Sequence, residues 1–91
     1  MLQLGSRGSI IDHARSECAR RGLPLAVIAA VLARPEQRFT VRPGRDVVQS
    51  RVLFEEQLYL VRVFVEVDRD PAEVVTAYRS SKIGKYWRND L

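Results

Sequence analysis

The chain has a single cysteine, Cys18, a single histidine, His13, and only two lysines, Lys82 and Lys85. A lone thiol cannot close an internal disulfide, and one Cys with one His cannot complete a closed zinc site, so folding must rest on packing. No cluster of His, Asp and Glu shows metal-ligand spacing, and no metal or cofactor is expected. No run approaches the roughly 18 apolar residues of a membrane span, and Met1 to Ser9 lacks the apolar stretch of a secretory signal. The expectation is a cytoplasmic protein with no membrane partner. Repeats, linkers and low-complexity segments are also lacking, and 91 residues make one domain. The core of so small a domain leaves room only for a shallow surface site.

Arginine, in contrast, is abundant, and the net charge is +4. Residues 1–34 carry +3, residues 79–91 carry +3, and the stretch between them carries −2. If the two ends meet in space they form a basic rim suited to a polyanion. The same arginines also read as a solvated surface produced by GC-rich coding.

From Ser9, an N-cap residue type, the residues Ile10, Ile11, Ala14, Cys18 and Ala19 recur near helical spacing. Arg20, Arg21 and Gly22 supply a basic last turn and a C′ glycine, so the spacing predicts a helix over about 10–21. Pro24 fits the first turn of a second helix, nearly apolar all round and more deeply packed, that ends at Pro35. Period-two alternation then gives strands over 37–42, 47–54, 58–67 and 73–79, joined by short connections that imply antiparallel neighbours. The expected fold is α+β: two N-terminal helices on one face of a four-stranded antiparallel sheet, with a basic aromatic tail over 80–91 and a flexible N-terminus over 1–8.

Alternation puts Val61, Val63, Val65 and Val67 toward the helices and Leu60, Arg62, Phe64 and Glu66 on the other side. The best apolar register sets Val48 opposite Val63, Val52 opposite Tyr59, Val63 opposite Ala77 and Val65 opposite Val75. It gathers Gln49, Arg51, Arg62, Thr76 and Tyr78 on the face away from the helices.

RNA can be cleaved without a metal because its 2′-hydroxyl is an internal nucleophile. The protein must then move protons and stabilise negative charge, work suited to His and Arg. His13 is the proton-transfer candidate, though a single His near a helix start is also an ordinary surface residue. Arg62 between Leu60 and Phe64 is costly to desolvate unless it binds an anion or pairs with Glu66. Thr76 suits any strand, Tyr78 either stacks a base or covers the sheet, and Arg51 is a second phosphate candidate. In the tail, Arg79, Lys82, Lys85, Tyr86, Trp87 and Arg88 interleave cations with stacking faces, as single-stranded nucleic acid requires; Trp87 also reads as a core plug. Cys18 reads as packing.

His13-Ala14-Arg15, Arg21-Gly22-Leu23, Leu60-Val61-Arg62-Val63, Val74-Val75-Thr76-Ala77-Tyr78 and Ser81-Lys82-Ile83-Gly84-Lys85-Tyr86 together resemble a family of small bacterial and phage-associated domains of unknown function. The resemblance spans about residues 10–87. In layout these domains are similar to the barnase, EndoU, colicin and RelE group of ribonuclease toxins. The resemblance implies a metal-independent endoribonuclease, the toxin of a toxin–antitoxin or conflict system, partnered by RNA and an acidic antitoxin or immunity protein. It implies His13 as acid or base, Arg62 on the scissile phosphate, Thr76 donating to a phosphate oxygen with Tyr78 beside it, and Lys82 and Lys85 as the basic tail; the candidate RNA contacts are Arg15, Arg51, Lys82, Lys85 and Tyr86. The second His of EndoU-type enzymes is missing. The other reading is a non-catalytic module that binds RNA or a protein.

Overall fold

A computed structural model describes residues 8–91. The elements run β1 (Gly8–Ile10), α1 (Asp12–Arg20), α2 (Leu25–Ala33), β2 (Gln37–Arg42), β3 (Arg45–Phe54), β4 (Gln57–Glu66), β5 (Ala72–Ser80) and α3 (Ile83–Tyr86). The four long strands form the expected antiparallel sheet, and the two N-terminal helices pack on one face of it. A short fifth strand is added: β1 pairs in parallel with β5, in the order β1-β5-β4-β3-β2. The flexible N-terminus expected over 1–8 lies outside the described residues except for Gly8, whose backbone pairs with Ala72.

The expected start of the first helix moves for the same reason. Ile10 sits opposite Val74 in the sheet and Ile11 becomes the N-cap, so α1 begins at Asp12 with no side-chain cap. Asp12 in the first turn and Arg20 in the last instead complement the helix dipole. At the other end the Gly22 N–H donates to the Ala19 carbonyl (3.2 Å) and the Leu23 N–H to the Cys18 carbonyl (2.9 Å), a Schellman closure. Gly22 takes the left-handed conformation this requires, at φ 65°.

Pro24 is the N-cap of α2 rather than part of its first turn. As expected, α2 is the more deeply packed of the two: Ile28 and Val31 are buried, Leu25, Val27, Ala29 and Leu32 are half-buried, and only Ala26, Ala30 and Ala33 are exposed, whereas most of α1 outside Ala14, Glu17 and Cys18 is exposed. Ala14 and Cys18 of α1 join Ile28, Val31, Val48, Val61, Val63, Val65, Val74 and Ala77 in one core. Burial pushes the Cys18 thiol pKa up, against the opposing charge of Arg21, consistent with a packing role. Val67, expected on this face, falls beyond β4 and is exposed, its N–H donating to the Gly44 carbonyl (2.9 Å).

The register agrees with the apolar match across β3 and β4: Val48 opposite Val63, Gln49 opposite Arg62, Arg51 opposite Leu60, Val52 opposite Tyr59. Across β4 and β5, Arg62 faces Tyr78 and Val63 faces Ala77 as expected. Val65, however, faces Val74, because a bulge leaves Val75 as an extra residue after the Phe64–Thr76 pair. The face away from the helices is not open either. Val47, Gln49 and Leu60 are fully buried there, and α3 with the chain after it docks across that side.

Candidate functional site

Neutral amides dock the tail. Gln49 Nε2 donates to Gln37 Oε1 (2.8 Å) and to the Tyr86 carbonyl (3.2 Å). Gln37 Nε2 donates to the Arg88 carbonyl (2.5 Å), and the Arg88 N–H returns a bond to Gln37 Oε1 (3.1 Å). These bonds fix the chain around Tyr86 directly above Arg62.

Arg62 is only 8% exposed. Its Nε donates to Gln49 Oε1 (2.7 Å) and its Nη1 to the Tyr78 hydroxyl (2.9 Å). Its guanidinium carbon lies 4.4 Å from the Tyr86 ring centroid, 5.2 Å from that of Phe64 and 5.9 Å from that of Tyr78. Among the described residues no carboxylate lies within 4.0 Å of it. The Glu66 pairing expected as an alternative does not form, because Glu66 is engaged by Arg45 (2.6 Å) and Arg42 (3.7 Å). Arg62 is therefore a buried, aromatic-walled cation with no negative counterpart, an arrangement that favours an anion at its rim.

That rim is phenolic. Tyr78 stacks on Phe64 at 6.0 Å and meets Tyr86 edge-on at 6.2 Å. The Tyr86 phenol is held below its ordinary pKa, first by the neighbouring Tyr78 hydroxyl, then by the charge of Lys85 and Arg62, against the opposing effect of burial. Lys85 is exposed, its Nζ 5.3 Å from the Tyr86 ring. Beyond Tyr78 the end of β5 opens into a cleft of about 590 Å³ that includes Lys82.

Of the residues singled out from sequence, the structure thus brings together Arg62, Tyr78, Tyr86 and Lys85, with Lys82 near by. Thr76 lies at the outer edge of β5, where β1 no longer pairs. There the Arg21 guanidinium takes the place of a neighbouring strand, donating to the Ala77 carbonyl (2.8 Å) and to Thr76 Oγ1 (3.3 Å). Arg51, expected to reach phosphate, is already held by Glu36 through Nε (3.0 Å) and Nη2 (2.9 Å) and stacks 4.4 Å from the Trp87 ring. That bidentate pair depresses the Glu36 pKa, the side-chain bond from Arg51 acting most strongly.

His13 and Arg15 do not join this group. Both are exposed on α1, which packs on the valine face, whereas the alternation of β4 sends Arg62 to the opposite face. No hydrogen bond among the described residues ties the imidazole to Arg62, Thr76 or Tyr78. The expected convergence of His13 with Arg62 is corrected accordingly.

Sequence reasoning missed Arg21, Gln37 and Tyr59 as site residues, and it named Arg79 only among the tail cations, without its place in the cleft. Arg79 shares the parity of Ala77, and that was the available signal. Among the described residues no group of three His, Cys, Asp or Glu side chains is placed to hold a metal, and no helix is long and apolar enough to cross a membrane. Comparison with family models, with curated proteins and with solved structures finds no match for this chain.

Proposed function

We propose that this protein is a cytoplasmic RNA-binding domain that grips the phosphate backbone of RNA on the face formed by Tyr78, Tyr86 and Lys85. The observation that carries the reading is Arg62, a desolvated guanidinium without a carboxylate, whose positive potential emerges through two phenols. Arg21, Arg79, Lys82 and Lys85 extend that potential around the end of β5. The two chain ends, each at +3 by sequence, supply these cations. Fluorescence anisotropy of a labelled RNA at several salt concentrations tests it. Binding should weaken with a log–log salt slope of about −0.7 per neutralised phosphate on a single strand. Absence of binding at low salt refutes the reading.

One observation favours a second reading, the metal-independent endoribonuclease and toxin that the sequence resemblance implies. Tyr86 is a phenol made more acidic beside Lys85 and above Arg62, so a proton-transfer group and a phosphate-stabilising cation lie side by side. In this version the Tyr86 phenolate takes the proton from the 2′-hydroxyl as the hydroxyl oxygen attacks phosphorus, the Lys85 ammonium gives a proton to the departing 5′-oxygen, and His13 has no part. An acidic antitoxin would cover the same cationic face. Incubation of RNA with the protein in a chelator should then yield cyclic-phosphate ends, Tyr86→Phe should abolish them, and His13→Ala should not. Intact RNA throughout leaves binding as the function.

A further inference from the structure

The cleft at the end of β5 has a makeup that neither the backbone grip nor the tail accounts for. Its walls include Arg21, Arg79, Lys82, Tyr59, Tyr78 and Ser81, with no carboxylate among the residues that line it. Its volume, about 590 Å³, is that of a small-ligand site rather than a groove for a helix or duplex.

Two of the three cations are positioned before any ligand arrives. Arg21 is fixed by the Ala77 carbonyl at 2.8 Å and by Glu17 at 3.0 Å. Arg79 lies 4.7 Å from the Tyr59 ring centroid and 4.5 Å from that of Phe54, and the two rings meet edge-on at 5.5 Å. Lys82 is exposed and has no ion-pair partner among the described residues, and the Ser81 hydroxyl adds a neutral donor. Stacking faces and preset cations in one small recess match a base with its phosphate. Tyr78 is common to this recess and the Arg62 cage, so a strand lying on the backbone face leads into it.

We propose that this cleft is a nucleotide subsite that takes one unstacked base of a single-stranded RNA, stacked on Tyr59 or Arg79, with the adjoining phosphate on Lys82 and Arg21. This deepens the RNA-binding reading and rests on it. Paired RNA keeps its bases stacked within the helix, so the subsite makes the protein selective for single strands.

The test compares a labelled single-stranded heptanucleotide with a blunt hairpin duplex of matched charge, using the full chain and two variants. The expected result is tighter binding of the single strand, with a loss of about tenfold for Tyr59→Leu, the scale of one lost base stack. Lys82→Ala, a surface change that leaves the core alone, should lower single-strand affinity and make the salt slope shallower by about 0.7. Equal affinity for strand and duplex would overturn the proposal. So would a folded Tyr59→Leu and Lys82→Ala that both bind the strand as the unmodified chain does. If adenosine monophosphate alone binds as tightly as the heptanucleotide, the site serves a free nucleotide and the strand proposal is likewise overturned. Failure of the unmodified chain to bind any RNA is a separate outcome, and it refutes the reading on which the subsite rests.

Discussion

Replacing Arg62 by Met keeps an unbranched chain under Tyr86 and removes the charge. Two bonds from a charged donor are lost, to Gln49 and to Tyr78, at about 1.5–3 kcal/mol each. Stacking under Tyr86 loses about 1–2 kcal/mol more. Against this, the variant escapes the desolvation of an ion with no counter-charge, a penalty of several kcal/mol. The opposing effects nearly cancel, and the expected change in stability is under about 2 kcal/mol, or less than about 15 °C in melting temperature for a domain of this size. Function should respond differently. A phosphate resting on the far side of the Tyr86 ring, whose centroid is 4.4 Å from the guanidinium, sits about 8 Å from that charge. At an effective dielectric of about 20 the attraction is about 2 kcal/mol, and screening lowers it toward about 1 kcal/mol at physiological salt. Arg62→Met should therefore weaken RNA binding about thirtyfold at low salt and about fivefold at physiological salt. Calorimetry and RNA anisotropy on the same preparation measure both sides. A melting temperature lowered by more than 20 °C with unchanged RNA affinity would refute the reasoning and make Arg62 a packing residue.

Two further outcomes follow from the geometry. The β3–β4 hairpin turns on Glu55 and Glu56 at φ 49° and 72°, where non-glycine residues are strained and two carboxylates are adjacent. Glu55→Asn with Glu56→Gly should stabilise by about 1–2 kcal/mol and raise the thermal midpoint by about 4–8 °C per kcal/mol; an unchanged midpoint argues that the loop bears no strain. Glu36, held by Arg51, and Glu66, held by Arg45, both have depressed pKa values in the folded state. A carboxylate shifted this way contributes stability above its unfolded pKa and loses it as pH falls through the folded value. The urea midpoint should thus drop below about pH 4, and Glu66→Gln should flatten that drop; parallel curves for both proteins would disprove the contribution.

The sheet was legible because its two faces differ. One slip in register would bury charges among Val61, Val63 and Ala77, so the apolar match fixes the pairs of β3 with β4 and most of β4 with β5. The bulge at Val75 was not legible, since Val74 and Val75 serve equally well opposite Val65. Ile10 fits a helix stripe and an edge strand alike, and only its pairing with Val74 decides between them. For the site, alternation placed Arg62, Gln49 and Tyr78 side by side. It could not show the tail folding back, because the bonds that fix it join Gln37 and Gln49 to main-chain atoms 51 and 37 positions away. The distance of His13 from that group followed from the same alternation, once α1 was known to lie on the valine face.

The four hydrogen bonds by which Gln37 and Gln49 clasp each other and the tail join neutral groups, with the buried Arg62 guanidinium behind Gln49. Concentrated salt, which strips nucleic acid from a basic surface, has little purchase on hydrogen bonds between uncharged amides. On the proposed RNA-binding reading, such a wash releases the RNA and leaves the C-terminal segment seated, and the lone indole of Trp87 should report this by an emission that stays constant.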